Sequence, residues 1–336
     1  MGVESASLRQ RLGRLVPDTA RAVAAFRSAF GGAASGQELT DPHEFALHVR
    51  KLELHTRHLV DTLFSGEYQS VFRGQGLEFS HIREYQHGDD VRSIDWNVTA
   101  RRGEPYVKQF VEERELAVML VVDMSASEEF GTGQGANRDV ALELAAVLAL
   151  SAARNNDQVG LVIVTDEVEL YIPPGSGRRH ALRLLLELRG FTPRSRGTKL
   201  SVALDFISRI CKHRTIVFLI SDFLLDSEEV GALRAVGGGV SDRHDLVAIR
   251  LTDSSTGELP EVGMIALVDP ERGQRLLVDA GDASLRANFR SDEADARKEV
   301  STLLRDLSVD KIEVDPHESY IEPLLAFFHR RERTSR

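Results

Sequence analysis

The hydrophobic positions of this chain change rhythm near residue 116. Downstream, continuous apolar runs alternate with helical stretches. Residues 116–122 form an unbroken apolar run rich in valine. It is too short for most helices and predicts a strand buried on both faces. A helix is expected over about 137–153, then a strand over 159–164 and a short one near 169–172. Helices follow at 178–188 and 200–211, and 215–220 is a second fully apolar strand. A helix near 227–236 and a strand at 245–251 complete the alternation. Strands alternating with helices imply crossover units, hence a mostly parallel, doubly wound α/β sheet with helices on both faces.

The flanks are less regular. Residues 31–36, Gly-Gly-Ala-Ala-Ser-Gly, predict a flexible linker. Asp41-Pro42 is a helix start, an N-cap acceptor followed by proline at the first helical position. That helix is expected to reach residue 63, with Phe45, Val49, Leu52, Leu59 and Leu63 near one face. Residues 66–113 predict a mixture of short elements with a strand around Tyr106 and Phe110. After the sheet, 264–268 and 274–278 flank Asp269-Pro270-Glu271-Arg272-Gly273, which has the turn chemistry of a hairpin. A helix over 285–307, a short strand at 311–314 and a last helix through Phe328 follow, and Arg330, Arg331, Arg333 and Arg336 predict a solvated tail. The organisation is therefore an N-terminal helix and linker (1–40), a helix plus mixed region (41–113), and one large α/β domain (114–333), with no internal repeat.

Composition narrows the function classes. Among 336 residues, 42 Lys+Arg against 52 Asp+Glu leave a net charge of −10, which argues against a dedicated nucleic-acid binder. Cys211 is the single cysteine, so no internal disulfide or thiolate zinc site can form. Its expected place is a buried position on a helix. No segment reaches the roughly 18 apolar residues of a membrane span. The best candidate, 141–153, is interrupted by Glu143 and Ser151 and ended by Arg154, so it predicts a buried helix. Arg9, Arg11, Arg14, Arg21 and Arg27 hint at a transit peptide, but Glu4, Pro17 and Asp18 favour an exposed amphipathic helix.

The candidate chemistry follows the first apolar strand, in Asp123-Met124-Ser125-Ala126-Ser127. Residues two apart in an extended segment point the same way. One carboxylate and two hydroxyls therefore converge beyond a strand's carboxyl end, where doubly wound sheets bind ligands. All are hard oxygen donors, suited to Mg²⁺ or Mn²⁺ rather than zinc. Thr198, in Gly197-Thr198-Lys199-Leu200, adds a hydroxyl where a loop enters a helix. Asp222, in Ile220-Ser221-Asp222-Phe223, ends the second apolar strand. If the two strands are neighbours, Asp123, Ser125, Ser127, Thr198 and Asp222 surround one point. The competing structural assignment makes Ser125 and Thr198 helix caps and Asp222 a turn residue.

This Asp-x-Ser-x-Ser with a later Thr and a strand-end Asp resembles the metal-ion-dependent adhesion site of von Willebrand factor A domains. Upstream, Phe72-Arg73-Gly74-Gln75-Gly76-Leu77-Glu78-Phe79 is one long motif and Arg83-Glu84-Tyr85-Gln86-His87-Gly88-Asp89-Asp90-Val91-Arg92-Ser93-Ile94-Asp95-Trp96 another. Together with Ala100-Arg101 and residues 107–113 they closely resemble the bacterial family known as domain of unknown function 58. The resemblance spans about residues 66–328. It implies a von Willebrand factor A-like (Rossmann-type) sheet of order 3-2-1-4-5 plus a sixth strand, and a MoxR-type AAA+ ATPase as partner in protein remodelling or complex assembly. Carried over by residue, Ser125, Ser127 and Thr198 would bind the metal directly, with Asp123 and Asp222 acting largely through waters. Glu128 stands where the family often has Met, placing an extra carboxylate beside the site, and His87 replaces a frequent proline. Many relatives carry amino-terminal membrane helices; without them this chain is expected in the cytoplasm. Neutral hydroxyls around a divalent ion leave its charge poorly neutralised, so a partner's carboxylate is attracted to it, helped by the positive end of the helix near Thr198.

Enzyme alternatives are weaker. Gly131-Thr132-Gly133-Gln134-Gly135-Ala136 fits a dinucleotide string but lies too far past the strand, and no Walker A string exists, so energy must come from a partner. A metal-dependent phosphoesterase could use Asp89, Asp90 and Asp95 with His81 and His87, or Asp123 and Asp222. The structural alternative has Asp89 and Asp90 capping a turn and pairing with Arg83 or Arg92, as a clamp between the upstream segment and the sheet. Arg101 and Arg102 are expected in salt bridges or an interface, and Trp96 as a core anchor. A third class is a scaffold that binds no metal. The expectation is a non-enzymatic adaptor that binds Mg²⁺ and a partner's acidic residue, with no nucleic acid and no membrane span.

Overall fold

The computed structural model describes residues 77–86, 89–112, 116–129, 136–252, 259–269, 271 and 273–334. The expected linker at 31–36, the helix from Asp41, the motif at 72–76, the glycine string at 131–135 and His87 lie outside these residues, as do the side chains of His81, Arg92 and Glu128. The described residues fall into two compact units, one within 72–116 and one from Ala117 onward.

In the smaller unit, β1 (Leu77–Glu84) pairs antiparallel with β2 (Tyr106–Glu112), and α1 (Trp96–Arg102) lies between them in sequence. Asp95 Oδ1 starts α1 by accepting the N–H groups of Asn97 (2.9 Å) and Val98 (3.2 Å). Gly103, at φ 80°, closes it in the left-handed conformation that glycine takes without strain. Seven residues are too few to present a buried face, and none of α1 is buried. Trp96 is accordingly 66% exposed, not the expected core anchor.

The larger unit runs β3 (Ala117–Asp123), α2 (Ala136–Arg154), β4 (Gln158–Val164), β5 (Val168–Ser176), α3 (Arg178–Gly190), α4 (Leu200–Ile210), β6 (Thr215–Ser221), α5 (Ser227–Ser241) and β7 (Asp245–Leu251). A hairpin of β8 (Met264–Val268) and β9 (Arg275–Asp279) follows, then α6 (Ala283–Asp306), β10 (Asp310–Val314) and α7 (Ile321–Thr334). The sheet order is β10-β7-β6-β3-β4-β5, with β5 antiparallel to β4 and every other pair parallel. Counted from β3, this is 3-2-1-4-5 with a sixth strand at the far edge, the doubly wound α/β order that the resemblance implies.

Side-chain alternation builds the layers. Met119 and Val121 pack with Val162, Val164, Val217 and Leu219 against α4, α5 and α6 through Leu204, Ile207, Leu233 and Leu303. Val118, Leu120 and Val122 turn to the other face, where α2 meets β3 and β4 and α3 meets β4 and β5. Helix α2 is largely buried, from Leu144 to Ala149 without a break, and the interrupting Glu143 and Ser151 are buried with it, in line with the buried helix expected there. Among the described residues no helix is long and apolar enough to cross a membrane.

Three boundaries move for packing reasons. As an edge strand, β5 continues through Pro173 and Pro174 to Ser176, because proline's missing N–H is tolerated there. Helix α5 runs through Gly237, Gly238 and Gly239; a Cβ on Gly237 would stand 2.7 Å from Leu307 Cδ1, so a small residue lets the chain after α6 approach closely. Helix α7 reaches Thr334, and the expected solvated tail is corrected at Arg331. Its guanidinium grips both oxygens of Asp245 (2.6 and 2.8 Å) and also Asp310 (2.7 Å), because the last helical turn carries it back over the starts of β7 and β10.

Candidate metal centre

Sheet order reverses between β3 and β6, which are adjacent and parallel, with Val122 opposite Ile220. Asp123 and Asp222 therefore leave neighbouring strands at the same end of the sheet. Both are buried, as are Ser125 and Ser127. Asp123 Oδ1 accepts the N–H of Ser125 (2.9 Å), and its Oδ2 accepts the hydroxyl of Ser221 (2.7 Å). The hydroxyls of Ser125 and Ser127 lie 3.0 Å apart, and Ser127 also hydrogen-bonds Asp222. Asp222 Oδ1 accepts the N–H of Leu224 at 3.0 Å, so the expected turn role is real and coexists with placement at the site. Phe223 turns at φ 55° and is buried. A bulky residue there is strained by about 1–3 kcal/mol. The N–H of Phe223 donates to Ser221 Oγ at 3.0 Å, which fixes the bend that carries Phe223 into the core.

Thr198 arrives on a separate loop. Glu169 shapes that loop by accepting the N–H groups of Arg194 (2.8 Å) and Ser195 (3.2 Å) and the Thr165 hydroxyl (2.8 Å). Burial pushes the Glu169 pKa up, but these hydrogen bonds outweigh it and hold the carboxyl below its ordinary value. The loop is tied to the serine segment by Ala126 N–H on Arg196 C=O (3.0 Å) and to the end of β4 by Lys199 N–H on Thr165 C=O (2.8 Å). Thr198 is not a helix cap. Lys199 holds the N-cap position of α4 without a side-chain bond, and Glu229 of α5 accepts the Ser201 N–H (2.6 Å) and hydroxyl (2.9 Å) instead. The Thr198 hydroxyl donates to Glu271 Oε1 at 2.6 Å, and Glu271 comes from the β8–β9 turn.

The electrostatics are those of crowded buried acids. Burial, then the charge of Asp222, pushes the pKa of Asp123 up to about 7, against hydrogen bonds from Ser125 and Ser221. Asp222 is also raised, mainly by burial and further by the charge of Glu271, although Leu224, Ser127 and the positive charge of Arg250 pull the other way. A set of serine and threonine hydroxyls with carboxylates offers only hard oxygen, the donor type of Mg²⁺ and Mn²⁺. The 3.0 Å between the two serine oxygens also matches the edge of an octahedron with metal–oxygen bonds of about 2.1 Å, whose adjacent ligands lie about 3 Å apart.

A model of the family described as "Protein of unknown function DUF58" matches residues 81–299. The chain belongs to that family. An uncharacterized protein of Mycobacterium tuberculosis (strain H37Rv) is 32% identical to this DUF58 chain over 298 residues, 88% of this chain and 92% of the relative. An uncharacterized protein of Mycobacterium bovis is related to the same extent, 32% over 298 residues. Another, of Mycobacterium avium, is 30% identical over 166 residues, 48% of this chain and 94% of its own length. Among solved structures, the conserved hypothetical protein BatB of Bacteroides thetaiotaomicron superimposes with a TM-score of 0.39 at 14% identity, over 65% of this chain and 99% of that one. The von Willebrand factor A domain of SpRpn10 gives 0.34 at 12%, over 63% and 94%.

Within the DUF58 motif, Arg83 binds both oxygens of Asp89 (2.7 and 2.8 Å), and Asp89 also accepts the Gln86 N–H (2.8 Å). The carbonyl of Asp90 accepts Ser93, and Asp95 caps α1. Arg102 lies over the Tyr106 ring, 5.3 Å from its centroid. Asp89 thus pairs with Arg83 and Asp95 caps α1, and among the described residues no group of three or more His, Cys, Asp and Glu is placed to hold a metal ion. Cys211 ends α4 at its C-cap, half-buried, and burial pushes its thiol pKa up. Sequence reasoning missed Ser221, Glu229 and Glu271. Ser221 had a signal, as the polar residue that ends the apolar run directly before Asp222; Glu271 had none beyond its place in a turn.

Proposed function

We propose that this DUF58 chain is a non-enzymatic adaptor. It binds Mg²⁺ or Mn²⁺ through Asp123, Ser125, Ser127, Thr198 and Asp222, and holds an acidic residue of a partner protein there. It works in the cytoplasm with a MoxR-type AAA+ ATPase in protein remodelling or complex assembly. The observation that supports this most is the pair of buried, charge-coupled carboxylates, Asp123 and Asp222, at the ends of adjacent strands and bonded to the serine hydroxyls. Two acids so placed repel each other unless a proton or a cation sits between them.

The bound ion would supply a positive charge that neutral hydroxyls leave largely uncompensated. Ser125, Ser127 and Thr198 would offer it oxygen. Asp123 is held in orientation by Ser125 and Ser221, and Asp222 by Leu224 and Ser127, so neither carboxylate needs to reorganise when the ion enters. Ligand specificity falls to the loops around this rigid sheet end. Against the phosphoesterase alternative, Asp89 and Asp95 already serve Arg83 and the α1 N-terminus.

Isothermal titration of Mg²⁺ into EDTA-stripped protein tests the metal. Wild type is expected to bind and Asp123→Ala to show no heat of binding. Capture of a purified MoxR-type ATPase from the same cell tests the partner, and is expected in Mg²⁺ and not in EDTA. Capture that ignores EDTA would remove the adhesion mechanism, and hydrolysis of generic phosphate esters by the wild type and not by Asp123→Ala would replace it with the enzyme alternative.

A further inference from the structure

The β8–β9 hairpin delivers a carboxylate to the rim of the candidate metal centre, and its turn is organised to do so. Asp269 Oδ1 accepts the Glu271 N–H (2.9 Å), and the Asp269 carbonyl accepts the Gly273 N–H (2.8 Å). Gly273 sits at φ 66°, where a side chain would be strained. Glu271 then accepts the Thr198 hydroxyl across 73 residues of chain, and its charge reaches Asp222. None of the residues of β8 or β9 is buried, and Met264, Leu276 and Leu277 stand exposed. An element with so few buried apolar contacts opens at low free-energy cost.

We propose that Glu271 occupies, within the resting chain, the position that a partner's acid takes, so that the hairpin must leave Thr198 before a partner binds. This rests on the metal-dependent adhesion function proposed above and extends it by naming the resident ligand. Glu271 is chemically what such a site selects, a carboxylate on a flexible arm, and its Oε1 lies within 2.6 Å of a hydroxyl expected to face the ion. The adjoining open pocket, about 470 Å³, is lined by three cations (Arg194, Arg196, Lys199) and three acids, Asp166, Asp226 and Glu271. Withdrawing Glu271 removes one of the three acids of this lining and leaves its three cations in place. The rim then favours an acidic peptide segment, which replaces the departed carboxylate in kind.

Mn²⁺ is the probe, added to full-length wild type, Glu271→Ala and Asp123→Ala. Water-proton relaxation reports how much solvent reaches the bound ion, and fluorine line broadening of trifluoroacetate reports access for an outside carboxylate. Glu271→Ala is expected to bind Mn²⁺ and to raise relaxivity per bound ion by about 1.5-fold, as one more water joins two on a six-coordinate ion. It is also expected to broaden trifluoroacetate several-fold more than wild type does. If Asp123→Ala loses Mn²⁺ while Glu271→Ala matches wild type in both measurements, the resident-ligand proposal is overturned and the metal centre stands. If wild type binds no Mn²⁺, the metal centre itself fails and this proposal fails with it. Glu271→Gln, which preserves shape and removes charge, repeats the test should Glu271→Ala not fold.

Discussion

Replacing Asp123 with asparagine isolates the buried charge at the heart of the site. In metal-free protein the Asp123 carboxyl is raised from 3.8 to about 7. The native state then keeps a proton that the unfolded chain releases above its own pKa. The contribution of Asp123 to stability is therefore full below about pH 4 and is lost as pH rises through about 7. A shift of 7 − 3.8, about 3 units, corresponds to at most about 4 kcal/mol. Asp123→Asn removes this dependence and keeps the geometry, since its amide oxygen still accepts from Ser125 and the Ser221 hydroxyl can turn to accept from its nitrogen. Urea unfolding followed by far-UV circular dichroism, in EDTA between pH 4 and 8, reads the difference. Wild type is expected to lose several kcal/mol relative to Asp123→Asn across that range, so that at pH 8 the variant is the more stable. Adding Mg²⁺ at about 100 times its dissociation constant should then restore about 2.7 kcal/mol to wild type and nothing to the variant. Parallel pH profiles for the two proteins in EDTA would mean that Asp123 folds as an ordinary ionised carboxylate and that its burial costs no such energy.

Other substitutions test the frame around the site. Arg331→Met leaves Asp245 and Asp310 without their shared cation; breaking a buried pair costs about 3–5 kcal/mol, and the partial exposure of these groups reduces that to about 2, read as a lower urea midpoint. Gly160→Ala places a Cβ 3.0 Å from the carbonyl oxygen of Ile172 and 2.9 Å from Met119 Cε, and should destabilise by about 1–3 kcal/mol because backbone on the neighbouring strand cannot yield. Glu229→Ala strands the Ser201 N–H at the start of α4, at a cost of about 1–3 kcal/mol, and in Mg²⁺ titrations should weaken binding by loosening the Thr198 loop; Glu229→Gln should retain most of both.

Local sequence determined the sheet and half of the site. Apolar runs such as 116–122 and 215–220 can only be satisfied by burial on both faces, so their strand character and the parallel alternation were legible without any tertiary information. Asp123, Ser125 and Ser127 also come together within neighbouring sequence, but through a bend and the 3-10 turn Ala126–Glu129 rather than through the expected period of two, which ends with the strand at Asp123. Tertiary structure decided what depends on distant partners. Trp96 lies open because its helix is too short to own a buried face, and Arg331 is drawn from an expected tail because two strand starts present carboxylates beneath it. The cap of α4 comes from Glu229 on another helix, and the acid on Thr198 from Glu271 in a hairpin far along the chain. Hydrophobic periodicity is written into neighbouring residues, whereas hydrogen bonds between side chains tens of residues apart exist only once the sheet order has set which loops meet.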